Sequence, residues 1–167
     1  MAKTFKIRDY QVTDIDRIAE MNQSEIPHVS PITHEALIQL IDETNYLRVA
    51  EFESGEIAAF LLALDETGNY ASPNFQWFKS RYPKFCYVDR IIVSSKFQGA
   101  GLGRRLYADL EIFVGTRAPV LTCEVNLNPP NPASISFHQR LGFREVGVQD
   151  TEGGKKTVSL MIKELRV

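Results

Sequence analysis

The run Gln98-Gly99-Ala100-Gly101-Leu102-Gly103-Arg104 restricts what this chain can fold into more than any other segment. Before it, Phe85 to Val93 is a mostly apolar run that reads as a strand. After it, Leu102, Leu106, Leu110 and Phe113 recur at helical spacing. A strand, a glycine-rich loop and a helix in succession make an anion site. The first amides of a helix lack partners within it, and the helix dipole adds partial positive charge there. Glycines let the backbone approach a diphosphate with no β-carbon in the way. Arg104 and Arg105 can add charged contacts at the rim.

Two other phosphate motifs fit less well. A dinucleotide fingerprint starting at Gly99 requires glycine where Arg104 stands, although Glu124 lies at a distance suited to a ribose-binding acid. A P-loop requires Gly-Lys-Ser/Thr, which the loop lacks. A glycine-rich turn that only starts a helix remains the plain alternative.

The rest of the chain alternates strands and helices. Phe5-Lys6-Ile7-Arg8 reads as a first strand, and Thr13 as the cap of a helix bearing Ile15, Ile18, Ala19 and Met21. Thr33 caps a second helix with Ala36, Leu37, Leu40 and Ile41. Two strands then flank Glu53-Ser54-Gly55-Glu56, a hairpin signal. Residues 65–84 read as a long irregular insert rich in aromatics. Val120 to Val125 reads as a strand. Asn131-Pro132 opens a short helix ending at Gly142, and two closing strands flank Glu152-Gly153-Gly154. This order predicts an α/β (α+β) protein with a mixed, mostly antiparallel sheet of about seven strands and helices on both faces. A chain of 167 residues suits one domain, 1–167.

Composition narrows the setting. Hydrophobic residues at 44% and charged residues at 24% are those of an ordinary globular protein. No apolar stretch is long enough for a membrane span, and the N-terminal residues lack a signal-peptide pattern. Cys86 and Cys123 read as buried thiols of a reducing compartment, so a cytoplasmic location is expected. A net charge of -2 with mixed signs argues against nucleic acid. His28 and His34 lack acidic or cysteine partners at ligand spacing, and no metal site is expected.

Two segments together resemble the GCN5-related N-acetyltransferases (GNAT). Gln98-x-x-Gly101-x-Gly103 after Asp89-Arg90-Ile91-Ile92-Val93 is similar to the family's acyl-CoA signature. The segment from Asn131-Pro132-Ala133 through Phe137-His138 to Leu141-Gly142-Phe143 is similar to its Asn-x-Ala…Tyr-x-x-Leu-Gly-Phe helix. The element order resembles the family fold, whose fourth and fifth strands splay apart in a V.

The resemblance implies transfer of an acetyl group from acetyl-CoA to a primary amine of a small molecule or peptide by direct attack. The amides from Gln98 to Arg104 would hold the diphosphate, and main chain at Ile91, Ile92 and Val93 would pair with the pantetheine arm. Asn131 and Ser134 would join the cofactor site, and the thioester would lie between Val93 and Val125. An amide near Val93 would polarise the carbonyl.

One departure concerns the leaving thiolate. Relatives commonly carry tyrosine where this chain has His138. Proton transfer from imidazolium to a thiolate is downhill by roughly 2 pKa units, so His138 can serve as the acid; it can equally be a packing residue. Asp89 and Glu124 are the candidate bases. Freeing a lysine amine of its proton at pH 7 costs about 4.6 kcal/mol, against about 1.4 for an α-amine, which favours a weakly basic acceptor. Tyr70, Phe75, Trp77, Phe78 and Tyr82 can wall an acceptor pocket, anchor the insert to the core, or form the contact of a homodimer. A non-catalytic acyl-CoA-binding module and a dinucleotide-dependent oxidoreductase are the competing readings.

Overall fold

The computed structural model describes residues 4–166. Its elements run β1 (Phe5–Asp9), α1 (Ile15–Ser24), α2 (His34–Asp42), β2 (Tyr46–Phe52), β3 (Ile57–Asp65), α3 (Pro73–Lys79), β4 (Cys86–Val93), α4 (Leu102–Val114), β5 (Val120–Asn128), α5 (Pro132–Arg140), β6 (Arg144–Thr151) and β7 (Lys156–Glu164). The strands form the expected seven-stranded mixed sheet, in the order β1-β2-β3-β4-β5-β7-β6. Strands β4 and β5 run parallel, with Cys86 opposite Leu121 and Tyr87 opposite Thr122. The registered pairs β1–β2, β2–β3, β5–β7 and β6–β7 are antiparallel.

The described residues group into two compact units. One holds residues 4–63 with 90–113. Its core includes the run Ile57 to Ala63, all buried, so this central strand lacks the polar alternation of a sheet face open to water. Polar groups brace its other strands. Arg8 donates to both carboxylate oxygens of Asp14, at 2.7 and 3.0 Å, and to Glu51 at 2.8 Å. Asp109 of α4 accepts from Tyr46 and Arg48 of β2, both at 2.7 Å. Thr33 caps α2 by accepting from Ala36 N, as its sequence position predicts.

The cap expected at Thr13 is not there. Residues Val12–Asp14 form a single 3-10 turn, and α1 starts at Ile15. Asp14 accepts from Gln11 N and from Arg8, so the shorter-range pattern was outcompeted by a partner on β1.

The second unit holds residues 64–89 with 114–166. Here the insert expected to be irregular contains α3. Ser72 caps it by accepting from Phe75 N, and Pro73 occupies the first turn, where a missing N–H costs nothing. Phe75 and Phe78 are fully buried and pack with Phe85 and Tyr87 of this unit. Those two aromatics anchor the insert; Tyr70, Trp77 and Tyr82 stay half-buried.

Candidate active site

The glycine-rich loop has the backbone its composition predicts. After a 3-10 turn at Ser95–Phe97, Gln98 is extended, and Gly99 and Gly101 take φ of +81° and +80°. Side chains rarely adopt that region, so the loop needs glycine at both positions. A β-carbon at either would meet nothing within 4 Å, leaving the face of the loop open. Arg105 N donates to Gly101 O at 3.1 Å, closing the first turn of α4. The amides of Leu102, Gly103 and Arg104 belong to that turn, where intrahelical acceptors do not exist. The Gln98 side chain donates to Val93 O at 3.3 Å and ties the loop to the end of β4. Along that strand end Ile92 is buried while Ile91 and Val93 are half-buried, as alternation requires. Ala100 and Arg104 are exposed, and Leu102 and Gly103 buried.

In the second unit the structure brings Asp89 and Glu124 onto one face. Tyr87 and Thr122 stand opposite each other on parallel strands, and Asp89 and Glu124 lie two residues further along each. Residues two apart on a strand share a face. The Tyr87 hydroxyl donates to Glu124 Oε1 at 2.8 Å, and the Tyr70 hydroxyl to Asp89 Oδ1 at 2.8 Å. Tyr87 is fully buried. Burial first, then the charges of Glu124 and Asp89, push its phenol well above the ordinary value near 10. It is therefore a neutral donor to Glu124. Sequence reasoning did not single out Tyr87. The available signal was its position two residues before Asp89 on a strand paired in parallel with the strand of Glu124.

The three α5 residues are also together. Asn131 Oδ1 accepts from Ser134 N at 3.3 Å and caps the helix. His138 is 3% exposed, and its Nδ1 lies 2.8 Å from the Ser134 carbonyl. A carbonyl only accepts, so the ring proton sits on Nδ1. Phe137 and Phe143 meet the ring edge to face. Burial lowers the His138 pKa from its usual 6.5, outweighing the opposing pull of the Ser134 bond. At neutral pH the ring is uncharged.

Arg90 of β4, in the first unit, is 9% exposed. It donates to Asn22 Oδ1 at 2.6 Å and to Ser30 O at 2.9 Å, and Asn22 Nδ2 also reaches Ser30 O. These bonds pin the connection between α1 and α2 to β4. His34 pairs with Asp16 at 3.2 Å. Among the described residues, no group of three or more His, Cys, Asp or Glu is placed to hold a metal ion, and no helix is long and apolar enough to cross a membrane.

Comparison with known proteins agrees with this arrangement. The chain is 25% identical over 156 residues to an N-alpha-acetyltransferase from Sulfurisphaera tokodaii, covering 87% of this chain and 84% of that one. Ard1 from Thermoplasma volcanium shares the fold with a TM-score of 0.78 at 16% identity, covering 100% of both chains. The ribosomal-protein-S18-alanine N-acetyltransferase from Escherichia coli superposes with a TM-score of 0.73 at 19% identity, over 98% of this chain and 96% of that one. A family model described as the Acetyltransferase (GNAT) family matches residues 14–143. With the glycine loop at the head of α4 and the parallel β4–β5 pair inside that span, the chain belongs to the GNAT family of acetyltransferases.

Proposed function

We propose that this protein transfers the acetyl group of acetyl-CoA to the α-amine of a peptide or a similarly weakly basic primary amine, the whole chain acting as one GNAT domain. The observation that carries the reading is the loop at 98–104. Two glycines in left-handed backbone lead straight into α4, with open space where their side chains would be. The amides at the head of α4 would donate to the oxygens of the CoA diphosphate, with the exposed Arg104 at the rim. Gln98, Gly99, Ala100, Gly101, Leu102 and Gly103 contribute backbone, and Ile91 to Val93 supply main chain for the pantetheine. Asn131 keeps its oxygen for the α5 cap and would offer its amide group to the cofactor, beside Ser134.

In this reading the ammonium of the acceptor gives its proton to Asp89 or Glu124, directly or through water. The neutral nitrogen then attacks the acetyl carbon, the C–S bond breaks and the sulfur leaves as thiolate; the proton that the new amide nitrogen sheds passes, directly or through water, to that sulfur and gives CoA thiol. Positioning supplies most of the rate. The acid role at His138 is not favoured by its surroundings. A neutral ring whose one proton is held by the Ser134 carbonyl has no proton to give from Nε2. His138 instead braces the helix that carries Asn131 and Ser134. The α-amine is preferred because holding it neutral costs about 3 kcal/mol less than for a lysine side chain, and the relative from Sulfurisphaera tokodaii is named an N-alpha-acetyltransferase.

The test is twofold. Acetyl-CoA and CoA should raise the thermal midpoint, the ligand at about 100 times its dissociation constant adding roughly 2.7 kcal/mol, while NAD should not. CoA thiol should be released when short peptides with free N-termini are supplied. Stabilisation by acetyl-CoA without release for any amine in a broad panel would leave the non-catalytic binding module as the better reading.

A further inference from the structure

Tyr70 lies in the segment between β3 and α3, which the proposed reaction does not otherwise use. We propose that Tyr70 is a positioning residue for the acceptor amine: its hydroxyl holds the Asp89 carboxylate in the orientation that takes the amine proton. This rests on the reading of Asp89 as a proton acceptor.

Tyr87 is fully buried, so desolvation alone obliges its hydroxyl to find a protein partner, and Glu124 supplies one. Tyr70 is only half-buried. Water can satisfy a half-buried phenol, so burial does not explain why this hydroxyl is spent on Asp89 at 2.8 Å. Nor does packing explain it. The Tyr70 ring meets Phe75 at 5.8 Å and Tyr87 at 6.4 Å, contacts that phenylalanine would keep.

The backbone around Tyr70 is tethered as if its placement mattered. Gln76 of α3 donates to Tyr70 O at 2.7 Å. Lys79 donates to Gly68 O at 3.2 Å, and Thr67 N to Asp65 Oδ1 at 2.9 Å. Gly68 is buried, and a β-carbon there would sit 3.3 Å from Leu64 Cδ2. A short segment is thus tied at both ends to itself and to the end of β3, and its tip delivers one phenol to one carboxylate. A carboxylate turns about a soft torsion, and a hydroxyl donating to one oxygen fixes that turn.

The experiment is a double-mutant cycle on the full chain: Tyr70→Phe, Asp89→Asn and both together. CoA-thiol release is followed with peptides bearing free α-amines. Tyr70→Phe is expected to lower kcat/KM for the acceptor about ten- to hundredfold, the size of one hydrogen bond to a charged group, without changing KM for acetyl-CoA or the thermal midpoint. Asp89→Asn is expected to cost more, and the double variant no more than Asp89→Asn alone. Full activity in Tyr70→Phe, or losses that multiply in the double variant, would overturn the positioning role while Asp89 stands. Full activity in Asp89→Asn would remove Asp89 from the reaction and this role with it. If the wild-type chain turns over no amine at all, the acetyl-transfer reading itself fails, and the inference falls with it.

Discussion

Trp77 of α3 lies across Gly147 of β6, so close that a β-carbon on the glycine would sit 2.6 Å from Trp77 Cζ2. Gly147 also follows the register shift between β6 and β7. The indole cannot swing away freely, because the Arg81 guanidinium stacks on it at 3.9 Å. Gln149 of β6 donates to Asn74 of α3 at 3.0 Å, a second fastening beside the first. Gly147→Ala should therefore force α3 off its seat. The expected cost is about 1–3 kcal/mol, read as a lower denaturation midpoint. Acceptor kcat/KM should fall as well, since α3 carries Gln76 and hence Tyr70. A variant as stable as the wild type would show that α3 adjusts without strain.

Gly101→Val tests the cofactor loop. The residue has φ of +80°, where a β-branched side chain costs on the order of 1–2 kcal/mol. Space is available, so the fold should survive. The thermal shift produced by acetyl-CoA should vanish. A normal shift would place the diphosphate elsewhere.

His138→Phe separates packing from chemistry. The ring is buried and its folded-state pKa lies below 6.5, so the native protein disfavours the charged form. For such a base the stabilisation is complete above the unfolded value of 6.5 and is lost as pH falls below it. The variant should be less stable at pH 7.5 by about 1 kcal/mol, from the lost Nδ1–H bond to the Ser134 carbonyl. It should also lose part of the drop in stability as pH falls below 6.5. Turnover should stay within about twofold of wild type. A loss of a hundredfold or more with CoA binding intact would restore the general-acid role.

The ion cluster on β1 sets a second pH limit. Hydrogen bonds from Arg8, ahead of the opposing effect of burial, pull Glu51 down to about 2 from 4.5. Burial raises Asp14, but the bonds from Arg8 and Gln11 N outweigh it and leave that carboxyl below its usual value. Both are acids with depressed folded values. Their stabilisation is present above the unfolded value and lost as pH falls; for Glu51 the window is 4.5 to about 2. Glu51→Gln should cost about 1 kcal/mol at pH 7 and flatten the acid limb of a denaturation profile in that window. An unchanged limb would assign the acid sensitivity to other groups.

Local signals made most elements readable in advance. Thr33 and Asn131 cap the helices they precede, because a cap is decided within three residues. Ser72-Pro73 carries the same message as Asn131-Pro132, yet the aromatic crowding of residues 65–84 hid it. Thr13 misled for the opposite reason: a cap signal was present, but Arg8 and Gln11 claimed Asp14 and the turn tightened.

What the sequence determined by itself was therefore the order of the strands and of every helix but α3, the family, and the loop whose glycines must turn left-handed. Each depends on neighbours in the chain or on a motif of contiguous residues. What only the tertiary structure decided was who partners whom: Tyr87 with Glu124, Tyr70 with Asp89, Arg90 with Asn22, and His138 buried and neutral rather than charged. Those pairings join residues up to 68 positions apart. A side chain's charge and orientation follow from its burial and its donors, which local pattern does not encode.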